Sequence, residues 1–303
     1  MIMNIIEVLG RYFEQETCIE HLENIRWQGE PECPYCKSKQ STKRTGTSRY
    51  QCNSCNKSYS VLVGTIFEAT KLPLPKWFLA IALILNAKKG LSSLQLGRDV
   101  GVNRNTAWYL QMRIRKAMQD GIDEDLFTGI VEIDETYIGG KKANHSKKKR
   151  QERRDNGLQI TGMQDKQAVL GILERSGRIK LQSLEKAHGK TIKPFIEQTV
   201  SKDASLVTDG FGGYAGLGKQ YKEHQILNKD KEEYARGKYH TNTIEGFWTL
   251  PKRGIYGQYH KVSVKHLQAY LNEFTFKYNH RDNKSIFDTL INNCLLQNNS
   301  PVF

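Results

Sequence analysis

Four cysteines stand in two close pairs near the start of the sequence. Cys33 and Cys36 form one C-x2-C pair, fifteen residues follow, and Cys52 and Cys55 form the second pair. Each pair lets two thiolates converge on one ion, and two pairs complete a tetrahedron with no open position for a substrate. The spacing therefore predicts one structural zinc ion held by these four residues.

Buried or redox-active thiols are the alternative interpretation of the same cysteines. A ribbon of this size has too little core to fold alone, so metal binding would supply its folding free energy. Only six cysteines occur in 303 residues, too few for the disulfide framework of a secreted protein. The other two, Cys18 and Cys294, lack a paired spacing and are expected to be core or free thiols.

A predicted β-strand contains three acidic residues among four consecutive positions, 132–135. Alternation along the strand places Glu132 and Asp134 on one face and Glu135 on the other. Buried acids are costly unless they are paired or bound to a cation. Asp209 closes a second predicted strand. Taken alone, either aspartate is more often a turn former or cap than a metal ligand.

A third acid, Glu245, follows Asp209 after thirty-five intervening residues and lies on a predicted helix. Asn242 precedes it by one helical turn and Lys252 follows it by seven residues, so all three would share a helix face. Asn242 and Glu245 also fit a capping box, which is the structural alternative. Pro251 directly precedes Lys252 and predicts a kink or an end of the helix there.

Residues 92–118 fit two short helices around a turn at Gly101. The expected packing positions are Leu94, Val100, Val102 and Ala107. The start of the second helix would touch base edges in a DNA major groove, through Asn103, Arg104 and Asn105. Phosphate contacts are expected further along, from Arg113, Arg115 and Lys116. A plain helical hairpin has the same apolar pattern and is the alternative.

Two strand-borne aspartates followed by a helical Glu and a Lys resemble the DDE transposases and integrases. A closer resemblance rests on a series of motifs in fixed order: Cys33-Pro-Tyr-Cys36, Gly64-Thr-Ile-Phe-Glu68, Leu72-Pro-Leu-Pro-Lys-Trp77, Val131-Glu-Ile-Asp-Glu-Thr-Tyr137, Tyr270-Leu-Asn-Glu-Phe274 and Tyr278-Asn-His-Arg281. From about Ile19 to Arg281 the chain resembles the zinc-ribbon transposases of bacterial insertion sequences, the family numbered fifteen-ninety-five.

The resemblance implies a ribonuclease H-like catalytic domain and cut-and-insert DNA chemistry. Asp134, Asp209 and Glu245 would then be catalytic, holding two Mg²⁺ or Mn²⁺ ions roughly 3.5–4 Å apart. Lys252 would bind DNA phosphate near the cut. Because members of the family vary in the third catalytic residue, the assignment of Glu245 rests on the spacing of the triad.

Two other functions use the same residues. In a zinc-dependent DNA-binding regulator the acids would serve folding alone, and no Mg²⁺-dependent nicking would occur. A nuclease of the same fold would nick DNA without joining it.

Several elements must position these residues. Helices are expected over the first 30 residues, over 75–89 and around Leu267 and Leu271. Strands are expected at 129–138, 168–173, 178–184 and 205–207, with a helix at 191–200, which together predict a mixed α/β sheet.

The expected fold class is multi-domain: an N-terminal zinc ribbon, a helix-turn-helix-like helical region, then an α/β ribonuclease H-like catalytic domain with a mixed sheet. The predicted boundaries are 1–62, 63–124 and 125–285, with a C-terminal tail at 286–303. Lys141–Arg154 carries eight Lys or Arg residues and is expected to be a solvated loop.

The composition is consistent with a nucleic-acid partner. A formal charge of +14 favours a polyanion, of which DNA, RNA and an anionic membrane surface are examples. No secretory signal or membrane span is predicted. The expectation is a cytoplasmic, nucleoid-associated bacterial protein that binds the terminal inverted repeats of its element and target DNA. Joining two DNA ends implies a homo-oligomer, at least a dimer.

Overall fold

The computed structural model describes residues 4–119, 125–139, 151–152, 155–156, 166–228 and 231–296. The chain divides into two compact units: unit 1 is Met1–Asp120 with His280–Phe303, and unit 2 is Gly121–Asn279. The predicted region 1–62 and residues 63–120 of the predicted region 63–124 thus fall in one unit. The basic loop predicted at Lys141–Arg154 lies outside the described residues except for 151 and 152.

The first 30 residues form two helices rather than the single helix predicted. Helix α1 is Ile5–Arg11 and helix α2 is Gln15–Trp27. Between them Tyr12 leaves the helix, and its buried ring packs edge-on against Phe78 at a centroid distance of 4.8 Å. The next residue, Phe13, is 78% exposed. The break between the two helices therefore allows Tyr12 to be buried.

The zinc-ribbon region is a small antiparallel sheet of β1 (Ser41–Lys43), β2 (Tyr50–Cys52) and β3 (Ser58–Tyr59). Its apolar face packs on helix α2. The ring of Trp27 meets those of Tyr50 and Tyr59 edge-on, at 5.2 Å and 5.8 Å. The neighbouring helix thus supplies core that the ribbon lacks.

Four more helices complete unit 1: α3 (Leu74–Asn86), α4 (Ser93–Val100), α5 (Arg104–Ala117) and α9 (Ile286–Leu296). Helix α9 lies where the sequence predicted a tail. Its Phe287 packs against Phe78 at 5.8 Å, and the carbonyl of Cys294 accepts a hydrogen bond from the Ile66 amide. Residues 286–296 are therefore part of the core of unit 1.

Helices α4 and α5 form the predicted pair around Gly101, which caps α4 with a φ of 68°. Gly97 lets them approach closely, because a Cβ there would lie 2.8 Å from the Val102 carbonyl oxygen. Val100 and Ala107 are buried as predicted, but Leu94 is 52% exposed and Leu96 is buried in its place.

Unit 2 is built on a five-stranded mixed sheet of order β6-β5-β4-β7-β8. The strands are β4 (Ile130–Ile138), β5 (Gln167–Glu174), β6 (Ile179–Leu184), β7 (Ser205–Asp209) and β8 (Glu223–Leu227). Strands β4, β5 and β6 are antiparallel, whereas β4, β7 and β8 are parallel. A short ribbon of β9 (Ala235–Arg236) and β10 (Tyr239–His240) follows. This sheet confirms the predicted α/β domain with a mixed sheet.

Helices cover both faces of this sheet. Helix α6 (Gly189–Thr199) packs on one face, against Ile133 and Leu170 among others. Helices α7 (Asn242–Arg253) and α8 (Val264–Asn279) cover the other face, over Val169 and Leu173. In the described part of the chain, no helix is long and apolar enough to cross a bilayer.

Candidate functional site

The four cysteines of the ribbon converge as the spacing predicts. Their sulfur atoms all lie within 4.8 Å of one another, with 3.7 Å between Cys33 and Cys55 and 3.5 Å between Cys36 and Cys52. A tetrahedron with Zn–S bonds of ~2.3 Å has edges of about 3.8 Å. The donor set and its spacing therefore fit a zinc ion.

Two equivalent backbone turns place these sulfurs. After each cysteine pair the chain takes a left-handed conformation, at Lys37 (φ 62°) and at Asn56 (φ 55°). The Lys37 amide donates to the Cys33 carbonyl, and the Asn56 amide donates to the Cys52 carbonyl. The ribbon therefore builds its metal site from local backbone geometry.

The predicted DNA-reading residues stand at the start of helix α5. Asn103 is the N-cap, and its side-chain oxygen accepts the Thr106 amide at 2.9 Å. Arg104 and Asn105 are exposed. Asn103 thus also has a structural role, whereas its two neighbours face solvent.

Two of the arginines expected to contact phosphate are instead in the core of unit 1. Arg115 is 1% exposed and Arg113 is 7% exposed. The Arg113 guanidinium donates to the Glu68 carbonyl and lies over the Trp77 ring. That prediction is wrong for both residues, because charge and helical spacing alone did not reveal which face of α5 is buried.

The two predicted catalytic aspartates lie on neighbouring parallel strands. In the register of β4 with β7, Glu132 pairs with Val207. Asp134 and Asp209 each follow two residues later, so both point to the face that carries helix α7. The Asp209 carboxylate is oriented by the Phe211 amide, which donates to it at 3.0 Å.

Glu132 is fully buried and ties strand β4 to the start of helix α7. Its carboxylate accepts the amides of Thr243 and Ile244, both at 3.0 Å. The half-buried Arg175 donates to the same carboxylate at 2.8 Å and 3.0 Å, forming an ion pair whose acidic partner is fully buried. Glu132 thus acts as a helix cap supplied by a distant strand.

Helix α7 carries Glu245 in its first turn. The helix begins at Asn242 with Thr241 as N-cap, and the capping box considered for Asn242 and Glu245 does not form. Glu245 is exposed, and its carboxylate accepts the Thr241 hydroxyl at 2.7 Å. Because Glu132 caps the helix, the Glu245 carboxylate is not needed for that role.

The sequence predicts a kink or an end of the helix at Pro251. The helix does not end there. It continues to Arg253 and leads directly into a π-helical turn at Gly254–Tyr259. Such a turn accommodates a disturbed hydrogen-bond ladder. Lys252 is half-buried, one residue before the helix end.

Trp248 is the residue of helix α7 that reaches the site acids. Its indole Nε1–H donates to Asp134 Oδ2 at 2.9 Å. The indole also lies close to Gly171, the residue of strand β5 that pairs with Asp134. A Cβ at Gly171 would lie 2.7 Å from the indole carbon Cζ2. The helix therefore packs directly on bare backbone of the sheet.

Negative charge accumulates beside Asp134 and Asp209. Burial, with a further contribution from the charges of these two aspartates, raises the pKa of Glu135 to about 7. The Tyr214 hydroxyl donates to Glu135 at 2.6 Å and partly offsets that rise. A carboxylate cluster of this kind is a set of hard oxygen donors, the type that Mg²⁺ and Mn²⁺ prefer.

The carboxylates are more widely spaced than the cysteines. Within the described ranges, the cysteine cluster is the only group of three or more Cys, His, Asp or Glu ligand atoms that all lie within 4.8 Å. Asp134, Asp209 and Glu245 therefore do not close around a single point.

The sequence did not reveal the residues that support these acids. Gly171 interrupts an otherwise apolar strand, a signal for close approach of another group. Trp248 stands three residues after Glu245, on the adjoining face of its helix. The partners Arg175 and Tyr214 had no such signal, because only the folded sheet brings them to Glu132 and Glu135.

Comparison with known proteins gives matches over both units. The ISXO2-like transposase domain family matches residues 127–279, and the transposase zinc-ribbon domain family matches residues 14–58. The chain is 27% identical over 267 residues to a protein described as uncharacterized in transposable element ISH50 of Halobacterium salinarum, covering 84% of this chain and 88% of that one.

Among solved structures, the chain is similar to a pre-cleavage Mos1 transpososome. The similarity covers 70% of this chain and 76% of the other, at 10% identity and a TM-score of 0.24. At this level we draw nothing about fold or function from it.

Proposed function

The chain belongs to the ISXO2-like transposase family, and on that premise we propose that it binds the terminal inverted repeats of its insertion sequence, cleaves the DNA ends and joins them to target DNA with Mg²⁺. It is a DDE-type transposase with an N-terminal zinc ribbon. In this proposal Asp134, Asp209 and Glu245 are the catalytic acids, and the protein acts on DNA in the bacterial nucleoid.

One observation carries the assignment of the acids: Asp134 and Asp209 occupy equivalent positions on adjacent parallel strands, and Trp248 joins the helix of Glu245 to Asp134. In the proposal, two strands and one helix would supply the three carboxylates to one face of the sheet. The pKa of Glu135 is raised mainly by burial, and the charges of Asp209 and Asp134 add to that rise, so Glu135 lies close enough to both aspartates to sense their charge.

The three acids would hold two Mg²⁺ or Mn²⁺ ions, which supply activation of the attacking oxygen and stabilisation of the leaving oxygen. The protein's own contribution is placement. The Phe211 amide orients Asp209, Glu132 caps the helix that carries Glu245, and the half-buried Lys252 would contact a DNA phosphate. The nucleophile would be water for cleavage and a 3′ hydroxyl for joining.

End recognition is assigned to helix α5 in unit 1. Arg104 and Asn105 are exposed at its start, where they would reach base edges in the major groove. Asn103 would contribute through the part of its amide that does not cap the helix. Four cysteines would hold one zinc ion that stabilises the ribbon beside this region of the sequence.

A reaction with DNA tests the proposal. Full-length protein, with zinc bound, is incubated with Mg²⁺ and duplexes that carry the sequences flanking its own gene, and with target plasmid. We expect nicking at the element end followed by strand transfer into the plasmid. Nicking without transfer would indicate a nuclease, and specific binding without nicking would indicate a regulator.

Joining two ends in one event requires two active sites, so we propose that the active assembly is at least a dimer. Light scattering of the protein on paired-end DNA should give a mass of two or more chains per complex. One chain per pair of ends would contradict this part of the proposal.

A further inference from the structure

Trp248 is a buried side chain whose polar atom is directed at a site acid. The residue is 3% exposed, and its Nε1–H donates to Asp134 Oδ2 at 2.9 Å. A buried indole needs an acceptor for its N–H. Here the acceptor is a carboxylate, and a hydrogen bond to an ionised group is about twice as strong as a neutral one.

The sheet is shaped to admit this indole. Gly171 lies opposite Asp134 on strand β5, and a Cβ there would come within 2.7 Å of Trp248 Cζ2 and 3.0 Å of Ile244 Cδ1. Its φ is outside the left-handed region, so the backbone does not itself require glycine. The close approach of the helix α7 side chains accounts for this glycine.

We propose that Trp248 is a positioning residue for Asp134, and that Gly171 is the clearance that makes the contact possible. A carboxylate held through one oxygen presents its second oxygen in a defined direction. This inference rests on the proposed function, in which Asp134 is a metal ligand.

The alternative role for Trp248 is packing alone, since its ring also meets Phe247 at a centroid distance of 5.8 Å. The two roles differ in what happens when the N–H is removed and an aromatic ring is retained. Trp248→Phe removes the N–H and leaves a smaller aromatic ring in its place. Gly171→Ala does the reverse, because it retains the indole but pushes it from its place.

The first measurement detects the contact without metal or activity. The chain has four tryptophans, so its ¹⁵N–¹H spectrum should contain four indole signals, and Trp248→Phe identifies one of them. The spectra are recorded without Mg²⁺ or Mn²⁺. Asp134→Asn should then move the Trp248 indole signal upfield, because an amide oxygen is a weaker acceptor than a carboxylate. An unmoved Trp248 signal would overturn the proposal while leaving the proposed function intact.

The second measurement is Mn²⁺ affinity, followed by electron paramagnetic resonance in zinc-loaded full-length protein. Trp248→Phe and Gly171→Ala should each weaken Mn²⁺ binding roughly tenfold to a hundredfold, the range for losing a hydrogen bond to a charged group. Gly246→Ala is the matched control on the same helix, since a Cβ there meets nothing within 4 Å, and it should bind Mn²⁺ normally. Thermal melting identifies any variant that fails to fold.

The outcomes separate the two hypotheses. If Trp248→Phe and Gly171→Ala bind Mn²⁺ as the wild type does, while Asp134→Asn does not bind it, Trp248 is a packing residue and the inference falls alone. If Trp248→Phe does not fold, Gly171→Ala decides by the same criterion. If Asp134→Asn binds Mn²⁺ normally, Asp134 is not a ligand, and the proposed function and this inference both fall.

Discussion

The zinc ribbon and the carboxylate site are two potential metal centres that are constructed in opposite ways. The ribbon takes all its ligands from Cys33 to Cys55, and two similar turns place them. The carboxylate site takes its acids from Asp134 to Glu245, on two strands and a helix. One site needs only its own backbone, whereas the other needs a sheet topology and a docked helix.

This difference determines which residues belong to each site. In the ribbon, removing a ligand removes the metal, and other residues matter mainly through packing. In unit 2 the acids depend on groups that touch no metal, such as Glu132 and Gly171. Variants of ligands and of supporting residues should therefore separate in unit 2.

The largest effect is expected at the three acids. Asp134→Asn, Asp209→Asn and Glu245→Gln keep side-chain volume but remove the charge that would hold Mg²⁺. Each should reduce cleavage and joining together by at least about a thousandfold, because one pair of ions serves both steps. Binding of the element ends, measured by gel shift, should be nearly unchanged.

Two controls bracket that result. Glu197→Gln removes an exposed acid from helix α6 and should leave activity unchanged. Glu135→Gln should cause a partial loss, because Glu135 lies beside the aspartates without being assigned as a ligand. Near-normal strand transfer by Glu245→Gln, combined with loss in Glu132→Gln or Glu135→Gln, would show that the third acid is assigned wrongly.

The zinc ribbon should respond to loss of a single ligand by loosening. Cys36 is exposed, so Cys36→Ser costs little packing and its effect reports the metal. Elemental analysis should give about one zinc per wild-type chain and less for the variant. Hydrogen exchange should accelerate in β1, β2 and β3, with the strands of unit 2 as the reference.

Cys18→Ala is the control for the zinc assignment. This cysteine is buried outside the cluster, and its loss should leave zinc content at about one per chain. Soluble, active wild-type protein without zinc would contradict the zinc hypothesis. The ribbon could then no longer be compared with the carboxylate site as a metal centre.

The contrast also explains what the sequence could predict. Cysteine spacing was sufficient for the ribbon because the ligands are joined by short turns. Alternation placed Glu132 and Asp134 on one face correctly, and Gly101 marked the turn of the helix pair. These features depend on residues within a few positions of one another.

Features that depend on long-range packing were missed or mistaken. Strand β8 has a polar sequence and became apparent only through its pairing with β7. Helix α9 was taken for a tail because its apolar face is explained only by partners such as Phe78. Local capping was considered for Asn242 and Glu245, whereas the cap comes from Glu132, more than a hundred residues earlier.

A smaller effect is expected where unit 2 is held together. Glu132→Gln removes the ionic partner of the half-buried Arg175 and the charge that caps helix α7, and a hydrogen bond to a charged group is worth roughly 1.5–3 kcal/mol. We expect a lower melting temperature and a partial loss of cleavage. Because the proposal does not assign Glu132 as a ligand, Mn²⁺ affinity should fall less than in Asp134→Asn. Equal loss of Mn²⁺ binding in the two variants would place Glu132 among the ligands.

The smallest effect is expected at helix α5 of unit 1, which is proposed to read the DNA ends. Arg104→Ala should reduce discrimination between correct and altered end sequences by about 1–3 kcal/mol, the value of one base contact. Total affinity should change less, because phosphate contacts supply most of it and make it fall with salt. Binding is compared on both duplexes at two salt concentrations. Arg98→Ala, an exposed arginine on helix α4, is the matched control and should keep full discrimination. If Arg104→Ala also keeps full discrimination, the ends are read by another element, and helices α4 and α5 form a purely structural helical hairpin.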